Sequence, residues 1–126
     1  MFSVRNYRDL LAWQVAFALA RRIYEITAEF PKSEVYGLTS QMRRCAVAIP
    51  SNLAEGAGRA GKKEFAHFVT LARGSLNELE TQLLLAQALR YCEITDDLRQ
   101  DIERLFALLN GLRNSLIGSS AVGVER

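Results

Sequence analysis

Apolar residues recur along this chain at intervals of three and four, the spacing that gathers side chains on one face of an α-helix. From about Arg8 to Ala28, Leu10, Trp13, Phe17, Ala20 and Tyr24 keep that spacing, and Leu11, Val15, Leu19, Ile23 and Ile26 fill a second, adjacent face. Phe30-Pro31 closes the segment, because proline disfavours helix in the residue before it. A second segment runs from Thr39, a candidate N-cap, to Ala57, with Leu38, Met42, Cys45, Ala46, Ile49 and Leu53 on one face. Pro50 falls inside it and removes the backbone bond to Ala46, which predicts a bend rather than a stop. The third segment starts near Lys62 and carries Phe65, Phe68, Val69, Ala72, Leu76, Leu79, Leu83 and Ala86 to about Tyr91. Thr95 or Asp96 then caps a fourth, whose Leu98, Ile102, Leu105, Leu109, Leu112 and Leu116 form a heptad seam. Long helices with short connections favour antiparallel neighbours. The pattern therefore predicts an all-α fold, an antiparallel up-down-up-down four-helix bundle spanning residues 1–117 as one domain, with 118–126 as a flexible C-terminal tail.

Composition narrows the chemistry. With 126 residues, 49% apolar and 24% charged, the chain fits one globular domain and neither a disordered nor a fibrous protein. One His and two widely separated Cys exclude a four-cysteine or Cys2His2 zinc site and a disulfide framework. Two isolated thiols, with charges in the opening MFSVRNYRDL where a signal peptide needs its apolar core, predict a cytoplasmic protein without a membrane span. The net charge of +2 hides an asymmetry: residues 1–63 carry ten Lys/Arg against five Asp/Glu, and residues 64–126 six against nine.

Two near-motifs fail on context. Gly56-Ala57-Gly58-Arg59-Ala60-Gly61 matches GxGxxG, and Lys62-Lys63 nearly extends it to a phosphate-binding loop. Both motifs need a preceding strand, whereas a helix precedes here, so the run reads as a helix-to-helix turn. Glu64-x-x-His67 is half of a dimetal signature that needs a second such pair, and helical spacing turns His67 away from Phe65 and Phe68. No nucleophile–base pair can be placed, and Cys45 lies on the apolar face, where thiols are usually inert. The sequence predicts no catalytic residue, no cofactor and no metal.

Two stripes lie off the predicted core. On the third segment, Leu71, Ser75, Glu78, Gln82, Leu85 and Leu89 follow heptad spacing roughly a third of a turn from the main apolar stripe, at about 100° per residue. Three leucines on a secondary seam, with the wide apolar coverage of the first segment, predict a subunit interface. On the second segment, Gln41, Arg44, Ala48, Asn52, Glu55 and Arg59 align on one side. The basic residues Arg43, Arg44, Arg59, Lys62 and Lys63 concentrate on that segment and the turn after it, and could meet nucleic-acid phosphates. With no aromatic interleaved for base stacking, such contacts would follow backbone and shape. An ordinary solvated surface accounts for these charges equally well.

Phe30-Pro31, Glu34, Tyr36-Gly37-Leu38, Gln41-x-Arg43-Arg44 and IPSNLAEG (Ile49–Gly56) closely resemble the four-helix-bundle proteins encoded in intervening sequences of bacterial 23S ribosomal RNA genes. Asp9-Leu10 with Trp13-Gln14, Lys63-Glu64-Phe65 and Ala72-x-Gly74-Ser75-Leu76-x-Glu78-Leu79-Glu80 extend the likeness over roughly residues 7 to 91. The resemblance implies a homopentamer of antiparallel bundles, in a family most of whose members have no assigned activity. It is similar in fold to the accessory proteins of diversity-generating retroelements, which bind nucleic acid and a reverse transcriptase through a basic surface. RNA, DNA or a partner protein are the partners so implied, with a protein–protein scaffold as the alternative reading. Against that pattern, Gln41, Arg44, Asn52 and Glu55, with Ser75 and Glu78, are expected to form a polar network at helix or subunit contacts.

Overall fold

In the computed structural model, which describes residues 6–118, the chain forms α1 (Leu11–Thr27), α2 (Leu38–Ala57), α3 (Lys62–Ala88) and α4 (Asp96–Ile117). Short 3-10 turns at Tyr7–Asp9 and Lys32–Glu34 precede α1 and α2. Apart from Gly118, the expected tail lies outside the described residues. The first helix begins three residues later than the periodicity predicts, because the Asn6 side chain accepts from the Arg8 amide (2.9 Å) and holds a 3-10 turn there instead. Pro50 does not stop α2; its ring is buried and the helix continues to Ala57.

The end of α2 nearest α1 differs from the expectation. Thr39 is not the N-cap but a buried residue of the first turn. Glu34 performs the capping from the preceding turn, its Oε1 accepting from the Leu38 amide at 3.0 Å. Gly37 makes room for this, since a Cβ there would stand 2.7 Å from Glu34 Oε1. The other carboxylate oxygen accepts from the Tyr91 hydroxyl at 2.9 Å, so the α1–α2 and α3–α4 connections are tied at one end of the bundle. Thr95 caps α4 as predicted, accepting from the Leu98 amide. At the end of α3, Arg90 takes φ 66 and the Tyr91 amide bonds back to Ala86 (2.9 Å), a left-handed helix ending without glycine.

Paired residues give the topology. Arg43 of α2 reaches Tyr24 and Thr27 of α1. Cys45 of α2 meets Glu78 and Gln82 of α3, while Gly56, further along α2, lies against Phe65 and Phe68. Thr70 of α3 is met by Arg113 of α4, and Arg22 of α1 by Asp97 and Asp101 of α4. The two α2–α3 pairings run antiparallel, and contacts join α1 to α2, α2 to α3, α3 to α4 and α4 to α1, a square in chain order. Inside it, Ile23, Met42, Ile49, Leu53, Leu76, Leu79, Leu83, Leu105 and Leu109 are fully buried. Burial of each such aliphatic side chain contributes about 1.5–3 kcal/mol.

The core side of α1 is narrower than its apolar pattern. Ala12, Ala16, Leu19, Ala20 and Ile23 face inward, whereas Phe17 and Tyr24 are 54% and 44% exposed. Small residues line the inward side of this helix, and its aromatics are left at the edge facing α2. Phe68, also expected in the core, is half-buried beside the α2–α3 turn.

Candidate functional site

The five basic candidates separate into two groups. Arg59, Lys62 and Lys63 share the α2–α3 turn, whereas Arg43 and Arg44 lie fifteen or more residues back in the chain, about 20 Å away at 1.5 Å per residue. Arg43 is engaged inside the fold: its Nε donates to Thr27 Oγ1 (2.8 Å), an Nη to the Tyr24 carbonyl (3.2 Å), and its guanidinium stacks 4.5 Å from the Tyr24 ring. It ties α2 to the C-terminal turn of α1. At the α2–α3 turn, Arg59 pairs with Glu55 (2.7 Å) and lies 5.0 Å over the Phe68 ring. Lys62 and Lys63 are exposed in the first turn of α3, which has no side-chain cap. Unbonded helix amides and cationic side chains thus coincide there, with Glu64 as a nearby counter-charge.

Part of the anticipated polar network assembles between α2 and α3. Gln41, Arg44, Cys45, Glu78, Thr81 and Gln82 line an open groove of about 470 Å³. The Cys45 thiol donates to Glu78 Oε1 and its sulfur accepts from Gln82 Nε2, both at 3.5 Å. Gln82 Oε1 is buried with no hydrogen-bond partner. Cys45 is therefore a half-buried seam residue packed against the core rather than inside it, and burial pushes its thiol pKa up. Asn52 and Glu55 do not join. Asn52 donates to the Ala48 carbonyl (2.8 Å) and Glu55 holds Arg59, so both are satisfied within α2.

The leucine stripe of α3 is solvent-facing in the single chain. Leu71, Leu85 and Leu89 are 42%, 50% and 46% exposed, with Glu78 exposed and Ser75 and Gln82 half-buried along the same side. A second apolar surface was not singled out by residue from the sequence. Trp13 and Phe17 stack with centroids 5.0 Å apart, and Tyr7 meets Trp13 edge-on at 5.4 Å. With Tyr24, Val47 and Pro50 they wall a hollow of about 480 Å³ along the α1–α2 seam. The signal was present in the double apolar face of the first segment, which exceeds what one helix of a bundle can bury.

Burial raises the pKa of both Cys45 and Cys92, which keeps them as thiols at neutral pH. His67 is exposed, edge-on to Phe68 at 5.7 Å. Among the described residues, no three His, Cys, Asp or Glu side chains gather closely enough to hold a metal ion, and no helix is long and apolar enough to cross a membrane.

The family model described as 23S rRNA-intervening sequence protein matches residues 8–111, most of the chain and at least part of every helix. No curated protein matches the chain.

Proposed function

The chain belongs to the 23S rRNA-intervening sequence protein family, and from that premise we propose that it is a non-catalytic, self-associating helical scaffold of the cytoplasm, pentameric as the sequence resemblance implies. The observation that carries this reading is the amount of apolar side chain left outside the core. Phe17, Tyr24 and Val47 on one side and Leu71, Leu85 and Leu89 on another are each more than 40% exposed. Monomeric proteins rarely leave contiguous apolar surface of this kind in water, and a second subunit removes it at about 25 cal/mol per Å² of area covered. Light scattering on the purified protein tests the proposal: a mass several times 14.1 kDa supports it, and 14.1 kDa at all concentrations overturns it.

A second reading adds nucleic acid as the partner, and the gathering of Arg59, Lys62 and Lys63 at an uncapped helix start favours it. Oligomerisation would repeat that cluster and multiply weak phosphate contacts into useful avidity. Fluorescence anisotropy with structured RNA and duplex DNA should show affinity falling linearly with salt on logarithmic axes. Replacing all three residues by Glu should abolish binding while leaving the helical spectrum intact. Absence of binding at low salt leaves the protein–protein scaffold as the function.

A further inference from the structure

The groove between α2 and α3 differs from the hollow along the α1–α2 seam in that every residue lining it carries a polar or thiol group. We propose that this groove binds a free polar α-amino acid, its carboxylate held by Arg44 and its ammonium by Glu78. The site needs neither a second copy of the chain nor a nucleic acid, and so goes beyond the function proposed above.

Two unlike charges that do not meet carry the argument. Arg44 of α2 and Glu78 of α3 are both exposed, on opposite walls of one groove of about 470 Å³. Among the described residues neither belongs to an ion pair, although both act electrostatically on the nearby Cys45 thiol, in opposite senses. The other arginines of α1 and α2 are committed: Arg21 and Arg22 to carboxylates, Arg43 to Thr27 and Tyr24. Glu78 accepts only from the weak Cys45 donor, at 3.5 Å. Gln82 Oε1 is buried without a partner, while Nε2 of the same amide is used on the Cys45 sulfur. Turning that amide over would leave its nitrogen unmet instead, so the α3 wall lacks a partner either way.

These demands select the ligand. An anion would bring its charge against Glu78, and a cation would bring its own against Arg44. A zwitterion answers both, because a guanidinium takes a carboxylate through two parallel N–H bonds and a carboxylate accepts from an ammonium. Gln41, Thr81 and Gln82 add amides and a hydroxyl but no aliphatic wall, which favours a ligand with a polar side chain. The volume falls within the range of about 300–1,000 Å³ usual for small-molecule sites.

The test compares L-glutamine with N-acetyl-L-glutamine, which lacks the ammonium, and L-glutaminamide, which lacks the carboxylate. Saturation-transfer NMR of the ligand, at up to about 10 mM, reads the affinity of each for monomer and oligomer alike. Glutamine should bind saturably, and each analogue should bind at least about tenfold more weakly. Arg44→Gln and Glu78→Gln, at exposed positions, should weaken glutamine by a similar factor, with circular dichroism verifying that both variants fold. Equal binding of glutamine and its N-acetyl derivative would reduce the groove to an anion contact at Arg44 and overturn the proposal. Binding untouched by either substitution would place the ligand elsewhere and overturn it too, as would no saturable binding of glutamine at all. The self-association reading is judged separately, by the mass of the protein without ligand.

Discussion

The α2–α3 seam and the α1–α4 seam hold the same bundle together by different means. Along α2–α3 the helices approach until a Cβ on Gly56 would stand 2.7 Å from Phe68 Cβ and 2.8 Å from the Phe65 ring. The backbone there has no space to yield. Across α1–α4, by contrast, Arg22 spans the gap with its guanidinium, 2.8 Å from Asp97, 3.4 Å from Asp101 and within 3.1 Å of Thr95 Oγ1. That cluster sits at the solvent edge, where Asp97 is 71% exposed. Packing at the first seam is unforgiving and directional, while the ionic bridge at the second is screened by water and adjustable. Substitutions at the two should therefore differ in cost even where the number of atoms removed or added suggests otherwise.

The largest difference should come from one methyl group. Gly56→Ala is expected to destabilise the protein by about 1–3 kcal/mol in denaturant unfolding, through overpacking against Phe65 and Phe68. Alanine's better helix propensity offsets at most about 1 kcal/mol of that. Gly111 of α4 supplies the control, since a Cβ there meets nothing within 4 Å. Gly111→Ala should stabilise by about 0.5–1 kcal/mol, and equal effects at the two glycines would show that the α2–α3 seam is looser than described. At the other seam, Arg22→Ala should cost only about 0.5–1 kcal/mol, with the loss shrinking in high salt. A salt-independent loss above that range would mean the bridge acts as packed structure rather than as exposed charge.

The smallest effect concerns neither seam but the polar tie at the bundle end, and it is a matter of pH. The Leu38 amide, and then the Tyr91 hydroxyl, hold the Glu34 carboxyl below its ordinary value of 4.5. A carboxylate with a depressed folded pKa adds stability that is present above the unfolded value and lost as pH falls through the folded one. Thermal melts of wild type and Glu34→Gln should consequently differ at neutral pH and converge as the solution is acidified below 4.5. A gap that persists into strong acid would remove charge from the explanation.

Much of the fold was legible in the order of residues. The observed helices begin and end within three residues of the predicted limits, and the heptad seam of α4 is buried at Leu98, Ile102, Leu105, Leu109 and Leu116. Less of the candidate site was legible. Gln41 and Arg44 come to one groove with Glu78 and Gln82, but Asn52 and Glu55 find partners a turn away on their own helix. Arg43 reads from the sequence as a free cation and is instead spent on Thr27 and Tyr24. Glu34 stands in the family pattern without a role until the chain brings Leu38 and Tyr91 to its two oxygens. For Arg43 and Glu34 the partner belongs to another segment, and spacing along one helix carries no information about it; Asn52 and Glu55 are satisfied instead by neighbours four residues away on α2 or just past its end.

The sequence by itself determined four helices, their approximate limits, most inward positions of α2, α3 and α4, and the family. Those follow from a local rule, the rotation of about 100° per residue, which any reader of the chain can apply. Only the tertiary structure decided which side of α1 turns inward: Leu19 and Ile23 from one predicted face, Ala20 from the other, and Ala12 and Ala16 from neither. The period allows several sides, but only one can face the square of helices, and there the alanines went in while Trp13, Phe17 and Tyr24 were left along the edge toward α2. That choice is made by how closely neighbouring backbones approach, a quantity set between segments and not within one. It is also the choice that leaves this bundle an aromatic surface to cover.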